Sequence, residues 1–99
     1  MKIKIHTVHF NADIKLERII EEKIKKLVKF YDNIIGAEVI LRLANTHKPE
    51  NKIIEVRLEI PGNDLFSKKQ YSTFEAALDA AIDALRRQIT KHKEKQRGI

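Results

Sequence analysis

Two periods alternate along this chain. At the start, Ile3 and Ile5 point one way and Lys2, Lys4 and His6 the other. That period of two is the mark of a half-buried strand, expected over Lys2 to Val8. From Ile14 to Tyr31 the apolar residues Leu16, Ile19, Ile20, Ile24, Leu27, Val28 and Tyr31 recur at three and four, without Gly or Pro between them. This predicts a helix, with Asn11 or Asp13 as its cap and Asp32-Asn33 then Gly36 as its stop. Lys23 falls inside the apolar arc, so its stem is expected to pack while its amine reaches water. A second strand is expected over Ala37 to Ala44, with Val39, Leu41 and Leu43 inward and Glu38 and Arg42 outward; Ile40 breaks the alternation. Ile53 to Ile60 alternates most cleanly, and Pro61-Gly62-Asn63-Asp64 joins it to a fourth strand, Leu65 to Tyr71, as a hairpin. Ser72 or Thr73 then caps a second helix, whose apolar face is Phe74, Leu78, Ala81, Ile82, Leu85 and Ile89. That face stops just past Ile89, so the last turn or two should project beyond the core.

Every strand has one apolar face and every helix one apolar stripe. The packing that buries all of them is an α+β domain, β-α-β-β-β-α, a four-stranded sheet with both helices on one face. The first strand crosses over through a helix and should lie parallel to the second. The rest form a meander, leaving Lys4, Arg42, Glu55, Arg57 and Glu59 on the open face, where Glu55 and Glu59 are expected to pair with Arg57. From the first helix onward the order is that of a double-stranded RNA-binding domain, which reads backbone shape with basic helix ends.

Charge sharpens this picture. The 99 residues carry a net charge of +6, and Ala84 to Arg97 alone holds six basic residues against Glu94. Arg87, Lys91 and Lys95 make one stripe at helical spacing, and Arg86, Lys93 and Arg97 a second. A merely solvated face mixes signs; this one separates them, and the expected partner is a polyanion. No cysteine is present, so disulfides, thiolate metal sites and a cysteine nucleophile are excluded. The start has no signal-peptide run, and no apolar stretch is long enough for a membrane span. His6 and His9 are spaced H-x-x-H without further positioned ligands, so no metal is expected. There is no Gly-rich phosphate loop, no sheltered carboxylate pair and no cofactor motif; an enzyme and a small-molecule substrate are not expected. The central strands lack the aromatics of a base-stacking sheet, and no GxxG loop is present.

The sequence resembles the ribosome hibernation promoting factors, also called ribosome-associated inhibitors or sigma-factor modulation proteins. The resemblance spans nearly the whole chain and is densest in the second helix. There it rests on Ala76-Ala77-Leu78-Asp79, on Ile82-Asp83, and on Arg87-Gln88-Ile89-Thr90-Lys91-His92-Lys93-Glu94-Lys95. In the first helix Lys23, Lys26-Leu27 and Tyr31-Asp32 match. Two places depart from the family pattern. Thr73-Phe74-Glu75 stands where relatives often have Asp-Met-Tyr. Ala84 stands where several have lysine, and Arg86 is the candidate to replace that contact. The resemblance implies a cytoplasmic protein that binds the small ribosomal subunit over its tRNA and mRNA sites. Such proteins block translation in stationary phase or stress; this chain is expected to be monomeric off the ribosome. It also implies the short form: a single ribosome-binding domain over residues 1–99, without a dimerisation domain. Carried over by position, the rRNA-binding residues are Lys23, Lys26, Arg87, Lys91, Lys93 and Lys95, with Arg86 added. A generic structured-RNA or ribosome-assembly factor and a sigma-factor-directed regulator are the alternatives.

Overall fold

The computed structural model describes residues 2–97, with side chains placed through residue 95. Its elements run β1 (Lys2–Val8), α1 (Ile14–Phe30), β2 (Gly36–Leu43), β3 (Lys52–Ile60), β4 (Asn63–Tyr71) and α2 (Phe74–Arg97). The strands form one sheet in the order β1-β2-β3-β4, with β1 parallel to β2 and the other pairs antiparallel. The expected order and pairing are therefore the observed ones.

Local chemistry sets the element ends. Of the two candidate caps for α1, Asp13 is the one used: its side chain accepts the Leu16 N–H at 2.8 Å. Thr73, rather than Ser72, caps α2, its hydroxyl accepting the Ala76 N–H at 3.1 Å. Each satisfies a first-turn donor that the helix itself leaves without a partner. Ile60 pairs with Asn63, so the hairpin turn is Pro61-Gly62. Proline presets φ at the first turn position, and Gly62 supplies a φ of 81° at the second, which side chains with a Cβ resist.

Both helices cover one face of the sheet. Val39, Leu41, Ile54, Val56 and Leu58 from the strands are fully buried against Ile20, Ile24 and Leu27 of α1 and Leu78, Leu85 and Ile89 of α2. Contacts between the helices advance in the same direction along both, so α1 and α2 run parallel. Near their starts, the Phe10 and Phe74 rings stack at 5.2 Å. Leu43 departs from the sequence reading: it is 47% exposed. It shares the last row of the inner face with Lys52 and Tyr71, none of which is buried, so the core ends one row earlier, at Leu41 and Ile54. Ile40 lies half-buried on the outer face, between His6 and Glu55 on its neighbouring strands.

Candidate nucleic-acid interface

The apolar stripe of α2 fixes the helix's rotation, and with it the direction of every cation it carries. With Leu78, Leu85 and Ile89 against the sheet, Arg86, Arg87, Lys91 and Lys95 are exposed. Among the described residues, none of these four has a carboxylate within ion-pair distance. Arg86, Arg87, Thr90, Lys91 and Glu94 line an open groove along the solvent side, where Thr90 donates its hydroxyl to the Arg86 carbonyl at 2.9 Å. Opposed by one acid in that groove, these cations keep their field for an external anion.

The second stripe faces α1. The Lys93 amine donates to the Phe30 carbonyl at 3.0 Å and lies 4.5 Å from the centre of the Phe30 ring and 5.3 Å from that of Tyr31. That carbonyl belongs to the last turn of α1, where acceptors lack intrahelical partners and a cation is favoured by the helix dipole. Arg86 places its guanidinium carbon 5.7 Å from the centre of the same ring. His92 is half-buried, its ring edge-on to Tyr31 at 6.1 Å. Contacts with α1 thus continue past Ile89 through residue 93, and α2 projects less than its apolar stripe suggests. The Arg97 side chain, third in this stripe, lies outside the described residues.

On α1, the Lys23 side chain is part-exposed, as expected, and its amine bonds to the solvent-exposed Asp79 carboxylate of α2. Lys26 is exposed and, among the described residues, unpaired. The fold therefore brings Lys23 and Lys93 to the seam between the helices, with Arg86 reaching both the seam and the solvent-side groove and Lys26 exposed on α1. Arg87, Lys91 and Lys95 stand on the other flank of α2.

Two participants escape a reading of the sequence. Gln88 donates from Nε2 to the Phe66 carbonyl at 2.8 Å and accepts the Phe66 N–H at 3.3 Å. Its amide takes the place of a neighbouring strand on the open edge of β4 and holds α2 to the sheet. The available signal was weak, a polar residue bordering the apolar stripe. Phe30 is the other; it ends α1, follows Lys26 by one turn, and is 41% exposed.

The outer face of the sheet is built differently. Several of its charges pair: Arg57 with Glu38 at 3.7 Å and Arg42 with Glu55 at 2.8 Å, while the His6 ring lies 3.2 Å from Glu38. Glu55 and Glu59 were expected on Arg57; Glu55 takes Arg42 instead, and Glu59 has no ion pair among the described residues. Arg57 sits directly opposite Glu38 and takes it, while Arg42, diagonal to Glu55 across β2 and β3, reaches that carboxylate. His6 is engaged there and His9 follows in a turn with φ 65°, so the H-x-x-H spacing does not bring the two rings to one site. No group of three or more potential metal ligands occurs among the described residues. No described helix is long and apolar enough to cross a membrane.

Comparison with known proteins bears on this site. A family model described as "Sigma 54 modulation protein / S30EA ribosomal protein" matches residues 3–97. The chain is 31% identical over 99 residues to a ribosome hibernation promoting factor of Pseudomonas putida, covering 100% of this chain and 93% of that one. It is 32% identical over 96 residues to the factor of Azotobacter vinelandii, covering 97% and 86%. The factor of Escherichia coli is 31% identical over 81 residues, covering 81% and 80%. Among solved structures, a ribosomal subunit interface protein from Coxiella burnetii superposes with a TM-score of 0.84 at 18% identity, over 95% of this chain and 99% of that one. The N-terminal domain of Thermus thermophilus Protein Y superposes with a TM-score of 0.78 at 24% identity, over 93% and 99%. These two likenesses establish the fold.

Proposed function

The chain belongs to the ribosome hibernation promoting factor family, ribosome-binding translation inhibitors without enzymatic activity, and from that premise we propose that it occupies the tRNA and mRNA sites of the small ribosomal subunit. Residues 1–99 act as a single ribosome-binding domain in the cytoplasm, monomeric when off the ribosome. The observation that carries the reading is the row of exposed, uncompensated cations Arg86, Arg87, Lys91 and Lys95 on one rigid helix. A helix locked by its apolar stripe presents those charges at fixed spacing, as phosphate contacts require. Lys26 extends the same basic surface onto α1. Lys23 and Lys93, each already bonded within the protein, contribute by exchanging those partners for phosphate or by holding the two helices in register.

Sedimentation through a sucrose gradient tests this. The protein should travel with intact ribosomes and small subunits, and dissociate in high salt. Prior loading of initiator tRNA and mRNA should weaken its binding. Equal binding to empty and tRNA-filled ribosomes would refute occupancy of the decoding region. Migration only with assembly intermediates would favour an assembly factor, and absence from all ribosomal fractions a regulator acting elsewhere.

A further inference from the structure

An aromatic ring left open to water on a basic face calls for an explanation. Phe30 ends α1 and remains 41% exposed although the core lies beside it. Two cations lie over the ring, Lys93 at 4.5 Å and Arg86 at 5.7 Å from its centre, and both reach it from the α2 side. They are seven residues apart, two turns of α2. Its backbone is held as well, since its carbonyl accepts from Lys93 at 3.0 Å. The result is a fixed, half-exposed aromatic surface flanked by positive charge, one turn from the unpaired Lys26.

We propose that Phe30 is a stacking platform for an unpaired RNA base, with Arg86 and Lys26 placed for the phosphates on either side of that base. The inference rests on the ribosome-binding reading and names a contact within it. Aromatic faces accept any base through its π-surface, and adjacent cations track the backbone. The outer face of the sheet supplies an internal control: Phe66 is 43% exposed, with Arg57 5.9 Å from its centre, but Arg57 is itself paired with Glu38 at 3.7 Å.

The chain contains no tryptophan, which makes the test direct. Phe30→Trp introduces a single indole whose fluorescence a stacked base quenches. Titrating this variant with purified small ribosomal subunits should quench it, whereas Phe66→Trp should respond little. Phe30→Ala should weaken binding roughly ten-fold or more, Phe30→Leu should weaken it nearly as much, and Phe30→Trp should bind as well as the parent. Because no charge is removed, the slope of log affinity against log salt should stay unchanged in all three. Thermal melting confirms that each variant is folded; Leu at this exposed helix end keeps the apolar bulk if Ala does not. Wild-type affinity for Phe30→Leu would mean a plain apolar contact, as with a ribosomal protein, and would overturn the proposal. So would an unquenched Phe30→Trp that still binds, or a flattened salt slope for Phe30→Ala, which would make the ring a mere support for the two cations. In each of those results ribosome binding itself persists. Absence of binding by the parent protein would instead remove the ribosome reading and the platform together.

Discussion

The outer face of the sheet and the solvent side of α2 both carry rows of charged residues, and they handle them in opposite ways. On the sheet, Glu38 lies between His6 and Arg57, and Glu55 holds Arg42. Strand pairing sets these acids and bases side by side, so Arg42 and Arg57 are compensated within the protein, although Lys4 and Glu59 on the same face form no ion pair among the described residues. On α2, Arg86, Arg87, Lys91 and Lys95 have no such partner among the described residues, although Asp79 and Asp83 lie on the same helix. Asp79 is taken by Lys23 of the neighbouring helix. Glu75, Asp79 and Asp83 therefore lie toward the start of α2 and the free cations toward its end, with Glu94 the one acid among them. Number of charges does not distinguish the two surfaces; compensation does. A compensated face interacts mainly with water, and an uncompensated one with whatever polyanion the cell supplies.

The largest perturbation strikes the core under both faces. Leu58→Ala removes a fully buried side chain between the sheet and the helices and should cost about 2–5 kcal/mol in denaturant unfolding. A loss under about 1 kcal/mol, at the small end of core truncations, would mean the helices do not cover this side of the sheet.

The comparison itself is broken by removing one face's charges and then the other's. Arg87→Ala, Lys91→Ala and Lys95→Ala together should flatten the slope of log ribosome affinity against log salt by about 2–3 units, at roughly 0.7–0.9 per lost phosphate contact. The melting temperature should barely move, since none of the three touches the core. Changing Arg42 and Arg57 together should leave the slope as it was. Equal flattening by the two variants would show that the protein is held by diffuse charge and that compensation has no role.

A smaller effect is expected at the joint between the two regions. Gln88→Ala leaves the Phe66 N–H and C=O without their partner on the edge of β4 and should cost about 1–2 kcal/mol of stability. It should also loosen α2 against the sheet, seen as faster hydrogen exchange at the Phe66 amide. Unchanged exchange there would show that water replaces the side chain at no cost. The smallest effect belongs to the compensated face. Arg57 is more than half exposed, and Arg57→Ala should change stability by less than about 1 kcal/mol; a larger loss would mean that the outer face is a structural network.

The element order, the sheet pairing and most of the core were legible in the pattern of apolar positions. Period two and period three-and-a-half need only local information, and each apolar face has one way to be buried. Ile54, Val56 and Leu58 on β3, and Leu78, Leu85 and Ile89 on α2, follow directly from that rule. The basic stripes of α2 were legible for the same reason, because residues four apart on a helix must share a side. The family resemblance singled out candidate rRNA-binding residues within those stripes, which composition alone left as a polyanion site.

Tertiary structure decided what each charge meets. Lys23 meets Asp79, 56 residues away, and Lys93 meets the end of α1, 63 residues away; no local period encodes either. The Arg42–Glu55 pair depends on strand register, Leu43 is exposed because the helices stop short of the last row, and Gln88 acts on β4 only because α2 lies along its edge. Phe30 is the sharpest case. In the sequence it is one more apolar residue at the end of a helix. Two cations flank it because a second helix, parallel to the first, carries them past at a spacing of two turns. Burial follows from a residue's own periodicity, but compensation and juxtaposition are properties of pairs, and the pairs exist only once the chain has folded.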